Sequence, residues 1–221
     1  MRRRPKVSGQ VLIEKIAAHI SPKHRGKLRV GVLASNNGSN LQVLIDFAKT
    51  DESYFSIGSV ISNNPTSFAL IRAQREAISH HLIDHRVVKP RELYDEKLAH
   101  CLQKDLVELV VCAGFLRVLN AEFLNQFQNR VINLHPSLLP KHRGLHAIEK
   151  AITAGDKETG CTVHLVDHGL DTGPIIAQSS CPIFEHDNLE DVTNRIQSLE
   201  HALLPKVVNQ IAKTVITRDY V

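Results

Sequence analysis

Short apolar runs separated by stretches of helical period recur along this chain. Leu28-Arg29-Val30-Gly31-Val32-Leu33-Ala34 is too short for a buried helix and reads as a buried strand. Ser35-Asn36-Asn37-Gly38 behind it is turn chemistry, and Ser39 with Gln42 three residues on predicts a capping box that opens a helix. The alternation continues with a strand over 57–62, a helix over 67–78, a short strand over 81–84 and a helix over 91–103. A strongly apolar strand over 106–113, a short helix over 121–127, a strand over 130–134 and a helix over 146–154 follow. Strands over 162–166 and 174–183 then come without a helix between them, and a helix from 188 to about 216 is predicted to bend or break at Pro205. Repeated βα units imply an α/β fold: a Rossmann-like, mostly parallel twisted sheet flanked by helices, with a late antiparallel strand extension.

Ahead of this pattern, residues 9–20 predict an amphipathic helix with Val11, Leu12, Ile16 and Ile20 on one side, and 21–27 reads as a linker. Residues 1–27 hold eight Lys/Arg and one Glu, a balance of +7, whereas the rest holds 19 Lys/Arg and 22 Asp/Glu, a balance of −3. The overall charge of +4 therefore belongs to the start of the chain. The expected division is a basic leader and linker over 1–27, with 1–25 dispensable for catalysis, and a catalytic domain over 28–221. A mildly acidic domain without a basic, aromatic-studded stripe argues against nucleic acid.

No apolar run approaches the roughly 20 residues that cross a bilayer, so no membrane span is expected. The basic start lacks the apolar core of a secretory signal, although an organelle-targeting peptide has similar composition. Cys101, Cys112, Cys161 and Cys181 form no CxxC pair and no metal-ligand spacing. They imply a reducing compartment, the cytoplasm, no structural disulfide and no metal, with Cys112 a small buried hydrophobe.

The chemistry concentrates where strands end. In open α/β sheets ligands bind outside the carboxyl ends of the strands, and 35–40, 114–119 and 133–140 all follow predicted strands. Asn36-Asn37-Gly38-Ser39-Asn40 lies at a helix N-terminus, whose free N–H groups suit phosphate, although a routine βα turn looks the same. It matches neither GxGxxG nor GxxxxGK[ST]. Cys112-Ala113-Gly114-Phe115-Leu116-Arg117-Val118-Leu119 offers an apolar wall for a flat heteroaromatic ligand; core packing beside a solvated Arg is the plainer alternative. Asn133 and His135 stand at i, i+2 on one face of a strand, and Leu170-Asp171-Thr172-Gly173 can bring a carboxylate to them. An amide, an imidazole and a carboxylate suit a reaction in which a carbonyl oxygen gains charge while a nucleophile loses a proton. On the last helix Gln197, Glu200 and His201 share a face, which by itself fits a solvated surface equally well.

These segments together resemble the folate-dependent phosphoribosylglycinamide formyltransferases, from about Leu28 to Val208. The resemblance is carried by Asn37-Gly38-Ser39-Asn40-Leu41-Gln42, Ala113-Gly114-Phe115-Leu116-Arg117, and Asn133-Leu134-His135-Pro136-Ser137-Leu138-Leu139-Pro140. It extends to Gly144-Leu145-His146-Ala147, Gly160-Cys161-Thr162-Val163-His164, Leu170-Asp171-Thr172-Gly173-Pro174 and Glu200-His201. It implies the formyltransferase fold and formyl transfer from 10-formyltetrahydrofolate to the amine of 5-phosphoribosylglycinamide in purine biosynthesis. It assigns catalysis to Asn133, His135 and Asp171, and substrate binding to Gly38, Ser39, Asn40, Gln197 and Glu200. Arg91, Leu116, Arg117, Val118, Leu119, Asn133, Asp167, His168, Gly169, Leu170 and Asp171 would line the folate pocket. The chain departs from the family at Asn36, where Gly is usual. Partners would be these small molecules, and a homodimer is compatible with the same reading.

On this expectation Asn133 donates to the formyl oxygen, protonated His135 stabilises it, and Asp171 raises the histidine's pKa, giving activity an alkaline limit. A folate hydrolase would use water with the same trio, but related hydrolases carry a second His where this chain has Pro136. A phosphosugar-binding module would leave the trio unexplained. The related methionyl-tRNA formyltransferases normally carry a further C-terminal domain, for which this chain is expected to have no room.

Overall fold

The structure is a computed structural model that describes residues 9–22 and 26–218. Seven strands form one sheet in the order β3-β2-β1-β4-β5-β6-β7. The strands β1 (Leu28–Leu33), β2 (Phe55–Ser62), β3 (His80–Leu82), β4 (Leu109–Ala113) and β5 (Val131–His135) run parallel. The last two, β6 (Glu158–Leu165) and β7 (Ile175–Pro182), are antiparallel, as the missing helix between them implied. The helices are α1 (Gly9–Ala18), α2 (Ser39–Ala48), α3 (Phe68–Arg75), α4 (Arg91–Lys104), α5 (Ala121–Gln126), α6 (Ala147–Thr153) and α7 (Leu189–Arg218).

Burial on both faces explains the continuous apolar strands. Leu28, Val30 and Val32 of β1, Val111 of β4 and Ile132 of β5 face a core shared with α1, α2 and α7. Leu33, Val110, Cys112 and Val131 face a second core with Tyr94, Leu98 and Leu102 of α4 and Phe123 of α5. The chain passes from β1 outward through β2 and β3, then returns beside β1 as β4. The segments after β1 and β4 thus diverge and open a crevice. Ser35 bridges them: its N–H donates to the Gly114 carbonyl at 3.0 Å, and its Oγ accepts from Leu116 N at 2.8 Å and donates to Asn63 Oδ1 at 2.7 Å.

Three expectations change. The capping box at Ser39 does not form: Gly38 is the cap residue in a left-handed conformation with φ 70°, without a side-chain cap bond, and Gln42 donates to Asp46 and accepts from Arg72 instead. A Cβ on Gly38 would press on Ala69 of α3 at 2.9 Å, so glycine is needed there for both φ and space. Helix α7 runs unbroken through Pro205, which is buried and packed within it. The N-terminal segment is also no detached leader. Leu12, Ile13, Ile16, Ala17 and Ile20 are buried, with Ile13 on the inner face in place of the exposed Val11, and the helix lies on α7 and β7. Arg218 of α7 donates to the carbonyls of Ala17 and Ile20, which end α1. Packing therefore begins by residue 12, not 28; the basic run over 1–8 lies outside the described residues.

Truncating a fully buried aliphatic side chain costs about 2–5 kcal/mol. Ile16→Ala should destabilise the protein by an amount in that range in urea unfolding, although Ile16 lies in the segment expected to be a leader. An unchanged midpoint would refute the packing of α1.

Candidate active site

A cavity of about 480 Å³ opens at the carboxyl ends of β4 and β5, roofed by the loops after β5 and β6. Val131, Asn133 and His135 share one side of β5, whose last residues project beyond the α4–α5 core into this cavity. The antiparallel register sets Asn133 opposite His164 and His135 opposite Thr162. Directly opposed residues share a face, so His164 joins the predicted pair. In the sequence His164 stands out only as part of the resemblance, with no role of its own. The signal was present in Thr162 and His164, polar at i, i+2 in a strand otherwise apolar from Cys161 to Val166.

Asp171 enters from the loop after β6 with a left-handed φ of 51°. The loop is folded by Asp167, whose Oδ1 accepts from Gly169 N at 3.0 Å and from Thr172 Oγ1 at 2.6 Å. Asp171 Oδ2 accepts from Gly144 N at 2.8 Å and lies 3.4 Å from His135 Nδ1. Its Oδ1 accepts from Asn133 Nδ2 at 3.3 Å and lies 3.6 Å from His164 Nε2. Burial alone would raise its pKa, but hydrogen bonding with His164, the Gly144 N–H and, at the acid pH where this carboxyl titrates, the charge on His135 outweigh it and hold the carboxyl down at about 2.

The two imidazoles differ. His164 Nδ1 lies 3.0 Å from the Leu165 carbonyl, and its Nε2 lies 3.1 Å from Asn133 Nδ2 and 3.6 Å from Asp171 Oδ1. His135 is buried, and its Nε2 donates to the His142 carbonyl at 2.9 Å. Its pKa falls below the ordinary 6.5: burial dominates, His164 and Lys150 add to it, and the His142 carbonyl and Asp171 only partly oppose. This corrects the expectation of a cationic His135 at rest. At neutral pH the ring is neutral, with its basic Nδ1 turned toward Asp171, so the site lacks one proton and can accept it there.

The predicted site residues divide into two groups. Asn40, Leu116, Arg117, Val118, Leu119, Asn133, His135, Asp167, Gly169, Leu170, Asp171 and Glu200 all line the cavity. Gly38, Ser39, Arg91, His168 and Gln197 are not part of its wall. Arg91 instead braces it, donating from Nη2 to the Val118 carbonyl at 2.6 Å. Gln197 and His168 are exposed. Arg117 is not the solvated side chain of the plainer alternative, because its guanidinium lies over the Tyr94 ring at 5.6 Å. Asn36, the departure from glycine, is exposed, and its carbonyl accepts from Ser67 Oγ at 2.8 Å. Also in the cavity wall, Glu200 is buried, accepts from Asn40 Nδ2 at 2.9 Å, and has a pKa raised by burial. Among the described residues Asn40 Oδ1 is buried with no hydrogen-bond partner. Cys112 and Cys161 are buried thiols pushed up to about 12, unsuited to nucleophilic attack.

The formyl transferase family model matches residues 28–208. The chain is 40% identical over 185 residues to the phosphoribosylglycinamide formyltransferase of Escherichia coli, covering 84% of this chain and 87% of that one. It is 41% identical over 213 residues to the trifunctional purine biosynthetic protein adenosine-3 of Drosophila melanogaster, covering 94% of this chain but only 16% of that longer protein. The crystal structure of glycinamide ribonucleotide transformylase 1 from Symbiobacterium toebii superposes with a TM-score of 0.83 at 36% identity, over 89% of this chain and 93% of that one.

The depressed pKa of Asp171 makes stability pH-dependent. A carboxyl at about 2 when folded and near the usual 3.8 when unfolded adds stability above the higher value and loses it as pH falls through the lower. The difference amounts to about 2 kcal/mol. In urea unfolding, the advantage of wild type over Asp171→Asn should shrink by about this amount between pH 5 and pH 2. A constant difference would show that Asp171 is not held ionised.

Proposed function

The chain belongs to the formyl transferase family, and on that premise we propose that it transfers the formyl group of 10-formyltetrahydrofolate to the amine of 5-phosphoribosylglycinamide. The observation that carries the proposal is the convergence of Asn133, His135, His164 and Asp171 in the wall of a cavity that Asn40 and Glu200 also line. The first group suits acyl transfer and the second suits a polar acceptor.

The cavity fits both substrates. Leu116, Val118, Leu119, Leu145 and Leu170 supply an apolar wall for a flat heteroaromatic ring, with the loops' backbone polar groups beside it. Glu200 accepts hydroxyl or amine hydrogens, and the unpartnered Asn40 Oδ1 is an acceptor in want of a donor. The N-terminus of α2 over Gly38 and Ser39 supplies free N–H groups for the phosphate. Glu200 and Asn40 support the amine, rather than water, as acceptor, as does Pro136 in the place of a second histidine.

As the acceptor amine attacks, the formyl carbon becomes tetrahedral and its oxygen gains negative charge. At rest Asn133 Nδ2 lies 3.1 Å from His164 Nε2 and donates to Asp171 Oδ1 at 3.3 Å. Asn133 exchanges the longer bond for the formyl oxygen and donates to it as charge develops. Neutral His135 takes the amine's proton at Nδ1, directly or through water. Asp171, still ionised, then stabilises the imidazolium it faces. His135 returns the proton to the leaving folate nitrogen, so atoms and charge balance and no covalent enzyme intermediate is needed. The four free cysteines support a reducing compartment such as the cytoplasm. Homodimer formation, the assembly compatible with this reading, is checked by light scattering.

Deformylation of 10-formyltetrahydrofolate should require phosphoribosylglycinamide. Equal rates with and without it would replace transfer by hydrolysis. Losing an oxyanion donor costs about 10²–10³ in rate, so Asn133→Ala should slow single turnover by that order with little change in melting temperature. Because His135 acts as a base, kcat should rise with pH through a histidine pKa below 6.5. Asp171→Asn removes a group that raises that pKa, so the acid limb should move to lower pH as the rate falls. A limb that falls with rising pH instead would restore a cationic His135.

A further inference from the structure

We propose that Asp156, which is not part of the cavity wall, is a positioning residue that clamps the loop over 141–144 onto His135 and Asp171. The inference takes its activity readouts from the formyl-transfer reading, while its spectroscopic readout needs no substrate.

The loop joining β5 to α6 delivers two backbone groups to the site. The His142 carbonyl accepts from His135 Nε2 at 2.9 Å, and the Gly144 N–H donates to Asp171 Oδ2 at 2.8 Å. The first fixes the tautomer that leaves His135 Nδ1 basic; the second helps keep Asp171 ionised. Displacing either by about an ångström breaks it.

The loop does not hold this shape by itself. His142, Gly144 and His146 take left-handed φ values of 52°, 76° and 60°. Left-handed backbone is disfavoured for a residue with a Cβ, which crowds the following carbonyl oxygen. Within the loop, Ser137 Oγ donates to the Lys141 carbonyl at 2.7 Å and Lys141 N to the Leu138 carbonyl at 3.1 Å. Those bonds hold its beginning. The segment that enters the site is held from the other side by Asp156, in the turn after α6, whose own N–H donates to the Ala151 carbonyl at 3.1 Å. Asp156 Oδ2 lies 2.8 Å from His142 Nε2, and both its oxygens accept from Lys141 Nζ at 3.2 Å. Lys150 of α6 adds a bond from Nζ to the Arg143 carbonyl at 3.0 Å. One carboxylate therefore grips two successive side chains, and the backbone of the second of these, His142, touches His135. The charged and titratable groups around this grip are Lys141, His142 and Lys150 outside, and His135, His164 and Asp171 inside. The His142 hydrogen bond is the largest reason that the Asp156 carboxyl lies below its usual range.

The test uses Asp156→Asn, with His142→Asn as a second variant that opens the same grip from the loop side. In the full-length protein kcat should fall about 10- to 100-fold, the cost of a small misplacement in an active site. KM for phosphoribosylglycinamide should stay within about threefold, since Asn40 and Glu200 stand on α2 and α7. In ¹⁵N-histidine-labelled protein without substrate, loss of the His142 carbonyl bond removes a group that raises the His135 pKa. The ring should then titrate at lower pH in both variants, and the acid limb of kcat should move with it. A His135 titration and a kcat–pH profile that both stay at their wild-type positions would overturn the proposal, whatever happens to the melting temperature. Should the formyl-transfer reading itself fail, the histidine titration still decides the clamp.

Discussion

Asp171 carries a negative charge to a place that water barely reaches, and a carboxylate left alone there would cost several kcal/mol. The surroundings are arranged to prevent that. Each oxygen faces one hydrogen-bond donor and one imidazole: Gly144 N–H and His135 for Oδ2, Asn133 and His164 for Oδ1. These partners come from β5, from β6 and from the loop ahead of α6. The need to solvate this one charge thus draws together segments that lie far apart in the chain. It also orients Asn133 and His135, the two groups that would act on the substrate.

The sheet supplies the rigidity. Parallel strands with both faces buried place their carboxyl ends at a common edge, and β6, running antiparallel to β5, sets His164 beside Asn133 by register alone. Thr162, opposite His135, is also occupied: its hydroxyl donates to the Ser137 carbonyl at 2.6 Å and accepts from Leu139 N at 3.1 Å and from Gln178 Nε2 at 2.8 Å. The segment leaving β5 is therefore tied to β6 and β7 before it turns into the strained loop. Regular structure holds Asn133, His135 and His164, and irregular structure, held in turn by ion pairs, supplies the His142 carbonyl and the Gly144 N–H beside them.

Burial acts in opposite directions on the two kinds of acid–base group. It lowers the pKa of His135 and raises that of Glu200, because in both cases it disfavours charge. Asp171 escapes this only through its four partners. A neutral histidine beside an ionised carboxylate is a pair short of one proton, and that shortage is what the proton shed by an amine as it attacks a carbonyl can fill.

The sequence by itself determined the architecture and much of the site. The βα rhythm, the missing helix between β6 and β7, and the i, i+2 placement of Asn133 and His135 are local properties of the chain, and local periodicity survives folding. Three matters were settled only in three dimensions. Whether residues 9–20 formed a leader or a core helix depended on the apolar face that α7 and β7 offered it, not on its own pattern. Ser39 is an ideal cap by composition, yet Gly38 took the position because α3 crowds the turn at Ala69. The charge of His135 was misread because proximity to Asp171 is visible in a motif, whereas burial, the larger effect, is not. His164 and Asp156 belong with these cases. Each is an ordinary residue until strand register or a loop's path sets it against a partner distant in sequence, and such pairings are made by tertiary packing alone.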